Sequence, residues 1–173
     1  MSDLQYPVGR FQLVPNPTAQ QRATWIDIIE QAPAQVRAAI QSLPPGAIDK
    51  PYRPGGWTAR QVVHHMADSH MNSYIRFRLA LTEDQPTIKP YDEAQWAELR
   101  DAKDAPVEMS LHLLDALHAR WVVLLKFLTP AQLDRTLYHP ENGVVDLNAM
   151  LCLYAWHCRH HSAHIGLLLS RRG

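Results

Sequence analysis

Apolar residues recur at helical spacing in four long stretches of the chain, and segments marked by proline separate these stretches. The first stretch predicts a helix that begins at Thr18 and ends at the segment Leu43–Gly46. Pro33 lies inside it, and we expect a kink or a split near Ala32 because proline has no N–H for a helix interior. Residues 1–17 carry three prolines and no helical period, so they predict an extended arm.

The second predicted helix has a recognisable start. Thr58 as N-cap and Gln61 three residues later match a capping box, in which each side chain bonds the other residue's backbone N–H. Trp57, just before the cap, is placed to pack on Val62 as a hydrophobic staple. From this start the pattern predicts a helix that runs to about Thr82.

The remaining chain predicts two more long helices. They span about Ser110–Leu128 and about Asp146–Ser170, with Asp146 as a candidate cap and the arginines at 171–172 suited to the C-terminal end. A short helix is predicted over Glu93–Leu99, and residues 138–143 read as a turn.

No strand-like alternation is sustained, so the sequence predicts an all-α fold, a four-helix bundle that residues 1–173 form as a single domain. The connections after the second helix are long. An up-down-down-up order of the helices is therefore as compatible with the pattern as simple up-and-down.

Charge and composition exclude several classes of protein. The 173 residues include 17 basic and 17 acidic side chains, which gives no reason to expect nucleic acid or an anionic membrane as a partner. No apolar run is long enough for a membrane span, and Met1–Leu4 shows no basic stretch of a signal peptide. We therefore expect a cytoplasmic protein, in which Cys152 and Cys158, ~9 Å apart along one helix, stay reduced.

Histidine is the unusual residue of this chain, with ten copies. On a helical wheel, one arc of the last helix carries four of them, His157, His160, His161 and His164. The same arc carries apolar residues, so it must face the core. Two interpretations compete: backbone and side-chain partners satisfy each imidazole, or pairs at positions i and i+4 bind a metal ion.

A metal ion would need at least one further ligand from another helix. The second helix offers His64, His65 and His70. Its wheel shows a polar line through His65, Ser69, Asn72 and Arg76. This line is equally compatible with a solvated helix face.

Five segments of the chain resemble the DinB/YfiT-like superfamily of metal-binding four-helix bundles, most closely its YfiT branch. They are YPVG at Tyr6–Gly9, YRPGGWTAR at Tyr52–Arg60, QVVHHMADSHMNSYIRF at Gln61–Phe77, IKPYDE at Ile88–Glu93 and YAWHCRHHSAHI at Tyr154–Ile165. The resemblance runs over nearly the whole chain.

The resemblance implies three metal ligands. In this superfamily one histidine early in the second helix and an H-x-x-x-H pair in the last helix bind the metal, and these positions map to His65, His157 and His161. Other members often have Arg-Gly-Gln after the pair, where this chain has Ser-Ala-His. That departure leaves His164 without a family role, and we assign it to the pocket wall or to the layer behind the ligands.

The resemblance also implies a reaction class, a metal-dependent hydrolase with zinc, or alternatively nickel, activating a water. Three imidazoles leave a divalent ion an open position for water or for a thiolate. The alternative is therefore a thiol S-transferase using bacillithiol or a similar small thiol, with Asn72 and Arg76 as candidate contacts to it. Ser69, Asn72, Arg76 and His164 are the pocket candidates for either reaction. A non-enzymatic metal- or ligand-binding protein is the third hypothesis. We expect a small-molecule substrate and a homodimer.

Overall fold

A computed structural model describes residues 3–169, so the predicted helix end at Ser170 and the arginines at 171–172 lie outside the described residues. Four long helices form a bundle: α1 (Ala19–Gln41), α2 (Ala59–Thr82), α5 (Val107–Phe127) and α7 (Leu147–Leu169). Between them lie the short helices α3 (Glu93–Ala97), α4 (Arg100–Asp104) and α6 (Pro130–Leu133), a 3₁₀ turn (Ala47–Asp49), and the strands β1 (Thr136–His139) and β2 (Gly143–Asp146). The predicted four-helix bundle with its N-terminal arm is confirmed.

The four long helices run up-down-down-up, one of the two orders that the sequence left open. Helix α1 packs against α5 and α7, and α2 packs against the same two helices. The contacts that set the directions are Glu30–Lys126 and Arg37–Asp115 between α1 and α5, His64–Ser110 and His70–His118 between α2 and α5, and His65–His157 and Ser69–Tyr154 between α2 and α7. Residue numbers rise together between α2 and α5, and also between α1 and α7, where Arg22 and Asn148 meet near the start of both helices. Successive long helices α1 and α2 therefore lie diagonally opposite each other.

Two apolar clusters fill the bundle, one towards each end. Trp121, Phe77 and Leu151 belong to one cluster, and Val62 and Leu114 belong to the other. His70 on α2, His118 on α5 and His160, His161 and His164 on α7 lie between these clusters along their helices. The middle layer of the bundle is therefore polar, and every group in it needs a partner inside the protein.

Pro33 does not split its helix, although a split was one of the two expected outcomes: α1 continues from Ala19 to Gln41 with Pro33 buried inside it. Proline removes one helical hydrogen bond, the one that the carbonyl of Ile29 would accept. Packing of the buried residues Ile29, Ala32 and Val36 against the neighbouring helices compensates for that loss.

Several predicted boundaries were wrong. Helix α5 begins at Val107 rather than Ser110, and the helix expected over Glu93–Leu99 ends at Ala97, with α4 following it. Residues 138–143 do turn, but the turn joins two strands that the sequence pattern did not predict. Each strand has four residues, and in β1 the one buried residue is Leu137, so the alternation is too short to detect.

The N-terminal arm lies along α7. The indole N–H of Trp156 donates to the carbonyl of Gly9 at 3.1 Å, and the ring of Phe11 meets Trp156 edge-on. Cys152 and Cys158 are free and buried, as expected. Within residues 3–169, no helix combines the length and the apolar character needed to cross a membrane.

Candidate metal centre

The start of α2 places the first candidate ligand. The hydroxyl of Thr58 accepts the N–H of Gln61 at 3.2 Å, and the Gln61 amide oxygen accepts the N–H of Thr58 at 3.0 Å. The predicted capping box is therefore present. Trp57 packs on the cluster that contains Val62, and its ring centroid lies 4.7 Å from that of His65. The residue before the cap thus covers one side of the site.

Three histidines from two helices converge. His65 on α2 and His157 and His161 on α7 each offer one ring nitrogen within 4.8 Å of the others. The Nε2 atoms of His65 and His157 are 3.3 Å apart. The structure therefore brings together the three ligands that the resemblance implied, in an arrangement that could hold a metal ion.

Burial keeps these three imidazoles uncharged near neutral pH. It lowers the pKa of His65 to about 4, and it lowers the pKa of His157 and of His161 well below the usual range. The neighbouring histidines lower each pKa further, because a second positive charge nearby is unfavourable. Neutral imidazoles keep the lone pairs that a metal ion needs.

A chain of buried side chains extends from His157 into the bundle. His157 Nδ1 lies 3.0 Å from His70 Nε2, His70 Nδ1 lies 2.7 Å from His118 Nε2, and His118 Nδ1 lies 2.6 Å from the carbonyl oxygen of Ile29. The sequence pattern leaves the role of His70 open and gives no role to His118. The available signal for His118 was its position on the apolar face of α5, between Leu114 and Trp121.

A second chain extends from His161. Its Nδ1 lies 3.3 Å from Nδ1 of His164, and His164 Nε2 lies 3.1 Å from the carbonyl oxygen of Gln5 in the arm. The ring of Tyr52 stacks on His164 with centroids 3.9 Å apart. His164 therefore lies directly behind His161, one of the two positions assigned to it from the sequence.

The other two histidines of the clustered segments are placed differently. His160 stacks on Trp156, with ring centroids 4.3 Å apart. His64 points away from the site, with its two ring nitrogens 2.7 Å from the Ser110 hydroxyl and 3.2 Å from the carbonyl oxygen of Ala105. It ties α2 to the start of α5.

An open pocket of about 930 Å³ lies over the three histidines. Of the residues suggested from the sequence, Ser69, Arg76 and His164 line it. Asn72 is not among the lining residues, and its amide donates to the carbonyl of Asp68 on its own helix at 2.9 Å. The guanidinium of Arg76 donates to the carbonyl of Lys89 at 3.2 Å.

The pocket wall also contains residues that the sequence analysis missed as functional, because loops and the arm supply many of them. They include Tyr6, Tyr52, Arg53, Tyr91, Glu93, His139, Glu141, Tyr154 and Trp156. The hydroxyl of Tyr154 lies 3.2 Å from both the hydroxyl and the carbonyl oxygen of Ser69. Burial raises the pKa of Tyr154 and of Tyr91, so both phenols keep their protons and can donate hydrogen bonds.

Comparison with known proteins gives consistent results. The family model of the DinB superfamily matches residues 28–165. A protein of Bacillus mycoides, named as a proposed metal-dependent hydrolase, is 56% identical over 171 residues, 99% of this chain and 98% of the relative. A protein of Bacillus cereus with the same description is 54% identical over the same shares. The solved structure of YfiT from Bacillus subtilis, described as a probable metal-dependent hydrolase with an unusual four-helix bundle topology, superposes with a TM-score of 0.93, at 48% identity and 97% coverage of each chain.

Proposed function

The chain belongs to the DinB superfamily, and from that premise we propose that it is a metal-dependent hydrolase with His65, His157 and His161 as its ligands. The observation that carries the proposal is the convergence of three uncharged imidazoles within 4.8 Å of one another at the floor of an open pocket. The names of the Bacillus relatives and of YfiT support the same reaction class.

The donor set fits a divalent ion. Two nitrogen ligands of a tetrahedral zinc ion, each 2.0–2.1 Å from it, lie ~3.3 Å apart. The Nε2 atoms of His65 and His157 have this separation, 3.3 Å. Imidazole nitrogens suit zinc and also nickel, so we propose zinc as the metal and nickel as the second choice. Three protein ligands leave one position open, as in catalytic zinc sites.

Such an ion supplies Lewis-acid chemistry, because it polarises a bound oxygen and brings the pKa of water close to neutral. The residues of the chain surround the substrate and the ligands. A polar substrate in the pocket would meet the hydroxyl groups of Ser69, Tyr91 and Tyr154, and Trp57 covers the ligand His65. No carboxylate stands between His157 and His161, where zinc peptidases keep a general base. We therefore place the substrate among small esters, amides or lactones rather than proteins.

The experiment begins with metal analysis of tag-free protein. A panel of small esters, amides and lactones is then offered to the zinc-loaded protein, the chelated protein and His65→Ala, with every low-molecular-weight thiol removed. We expect hydrolysis by the zinc-loaded protein alone. Metal binding without turnover of any substrate would contradict the hydrolase proposal and favour a non-enzymatic metal-binding protein.

One observation favours the thiol S-transferase as the second candidate. The pocket is large enough for a second polar molecule, and two cationic side chains, Arg53 and Arg76, line it. Small thiols such as bacillithiol carry carboxylates that guanidinium groups bind well. Accumulation of S-conjugates in the presence of such a thiol, with no hydrolysis in its absence, would select this reaction.

A further inference from the structure

The proline inside α1 leaves a hydrogen-bond acceptor in the core. In an α-helix, the carbonyl of each residue accepts the N–H of the residue four positions later. For Ile29 that residue is Pro33, which has no N–H. The nitrogen that approaches the Ile29 carbonyl instead is Nδ1 of His118, at 2.6 Å.

This carbonyl sets the direction of every hydrogen bond in the chain that ends on it. A carbonyl oxygen can only accept, so His118 carries its proton on Nδ1 and leaves Nε2 free. Nε2 of His118 then accepts from Nδ1 of His70, 2.7 Å away. Because a neutral imidazole carries only one proton, His70 has none on Nε2, and this nitrogen accepts from Nδ1 of His157, 3.0 Å away. The proton of His157 thus lies on Nδ1, and its Nε2 lone pair faces His65.

The second chain obeys the same rule. The carbonyl of Gln5 can only accept, so His164 donates from Nε2 and its Nδ1 is free. The Nδ1–H of His161, 3.3 Å away, donates to that nitrogen. His161 is therefore left with its Nε2 lone pair for the metal. Two unrelated backbone carbonyls, one in α1 and one in the arm, impose the same tautomer on both ligands of α7.

We propose that His70, His118 and His164 are positioning residues, which hold His157 and His161 in the Nδ1–H tautomer and so keep both Nε2 atoms ready for the ion. The proposal rests on the metal site of the proposed function. Metal-bound histidines generally donate their other ring N–H to a partner behind them, and loss of that partner weakens metal binding. Here the partners are histidines, whose own tautomers the carbonyls of Ile29 and Gln5 set.

The third ligand behaves differently in the metal-free protein. Nε2 of His65 lies 3.3 Å from Nε2 of His157, which carries no proton in this arrangement. His65 must then be the donor of that hydrogen bond, with its proton on Nε2. Binding of an ion between the two nitrogens requires the proton to leave Nε2 of His65 and Nδ1 of the same ring to carry a proton instead. His65 is thus the ligand that must change its tautomer.

The first experiment reads the tautomers directly in the metal-free, full-length protein. Long-range ¹H–¹⁵N spectra of protein with ¹⁵N-labelled histidine distinguish the two ring nitrogens, and single histidine variants assign the signals. We expect protonated Nδ1 in His70, His118, His157 and His161, and protonated Nε2 in His164 and His65. A protonated Nε2 on His157 or His161 would overturn the proposal.

The second experiment measures cobalt(II) affinity by competition with a chelator. His118→Phe removes the acceptor of His70, and we expect a loss of ~10–100-fold. His118→Gln keeps one donor and one acceptor, so it should restore most of the affinity. His64→Phe is the matched control, because it also removes a buried, hydrogen-bonded histidine of the bundle, but one that points away from the site.

The outcomes separate a positioning role from a merely structural one. Equal affinity of His118→Phe and the unaltered protein would contradict the proposal, as would equal losses in His118→Phe, His118→Gln and His64→Phe. If His118→Phe does not fold, the tautomers measured in the unaltered protein decide whether the proposal holds. Neither measurement needs turnover, so an absence of hydrolysis would refute the proposed function and leave this inference standing.

Discussion

The Nε2 atoms of His65 and His157 lie 3.3 Å apart, although 92 positions separate the two residues in the chain. Both imidazoles are uncharged near neutral pH, because burial lowers their pKa. Two neutral nitrogens at this distance need either one proton or one cation between them. The short distance between these two nitrogens therefore underlies both the proposed metal site and the tautomer change expected of His65.

Removal of one ligand should abolish stable metal binding. We expect His65→Ala, His157→Ala and His161→Ala to contain less than a tenth of the metal of the unaltered protein by mass spectrometry, because two imidazoles hold an ion weakly. His112→Ala, which changes an exposed histidine of α5, is the control. An anomalous-scattering map that places the metal on His160 and His164 would show that the ligand assignment is wrong.

The metal-loaded protein should unfold at a higher temperature than the chelated protein, because the folded state alone holds the ion. Acid should reduce this difference, since protons compete for the ligand nitrogens. Melting curves with and without chelator check this at several pH values. Coincident curves at neutral pH, with metal removal verified, would contradict it.

The stability of the metal-free protein should itself depend on pH. Burial lowers the pKa of His65 to about 4 in the folded protein, against 6.5 for a free histidine. Between these values the unfolded chain binds more protons, so the free energy of unfolding should fall as the pH drops from ~6.5 to ~4. Urea titrations across this range measure the fall. A free energy that rises on acidification would contradict the buried neutral state.

The capping box of α2 should contribute to stability without affecting metal binding. Thr58→Ala removes the side-chain oxygen that accepts the Gln61 N–H, which should lower the free energy of unfolding by ~1 kcal/mol. Thr58→Ser keeps the hydroxyl and is the control. Denaturant titration and metal analysis together check this. An unchanged free energy in Thr58→Ala would show that the cap contributes nothing.

Pro33→Ala should lower the metal affinity although alanine favours the helix. Alanine supplies an N–H that competes with His118 for the Ile29 carbonyl, so we expect cobalt affinity to fall several-fold even though alanine favours a helix. Pro130→Ala is the control, because Pro130 is in the first turn of α6, where no N–H is needed. Unchanged cobalt affinity in Pro33→Ala would show that the proline does not influence the tautomer of His157.

Arg76 should distinguish the two candidate reactions. Arg76→Met keeps much of the side-chain bulk but removes the charge, so a transferase should bind its thiol more weakly, while hydrolysis of an uncharged ester should change little. Arg76→Lys keeps the charge and serves as the control. Thiol titration of cobalt-substituted protein, followed through a sulfur-to-cobalt charge-transfer band, gives the affinity. Equal thiol affinity in Arg76→Met would exclude a role for this charge.

Local patterns were enough to predict much of the fold. The period of the apolar residues predicted the four long helices, because a helix in a bundle must bury one face. The capping box at Thr58 and Gln61 could be predicted because both partners lie within one turn. Pro33 does not split α1, since packing of α1 against α5 and α7 outweighs the loss of one helical bond.

That four histidines share one face of the last helix follows from the sequence alone, because the helical period assigns residues to faces. The hydrogen-bond partner of each of these histidines depends instead on how the helices and the arm pack together. His118 and the carbonyls of Ile29 and Gln5 come from helix α5, helix α1 and the arm, far from α7 in the chain. Helical periodicity holds no information about partners on other elements. The tautomers of the candidate ligands follow from those partners, because a backbone carbonyl can accept a hydrogen bond but never donate one.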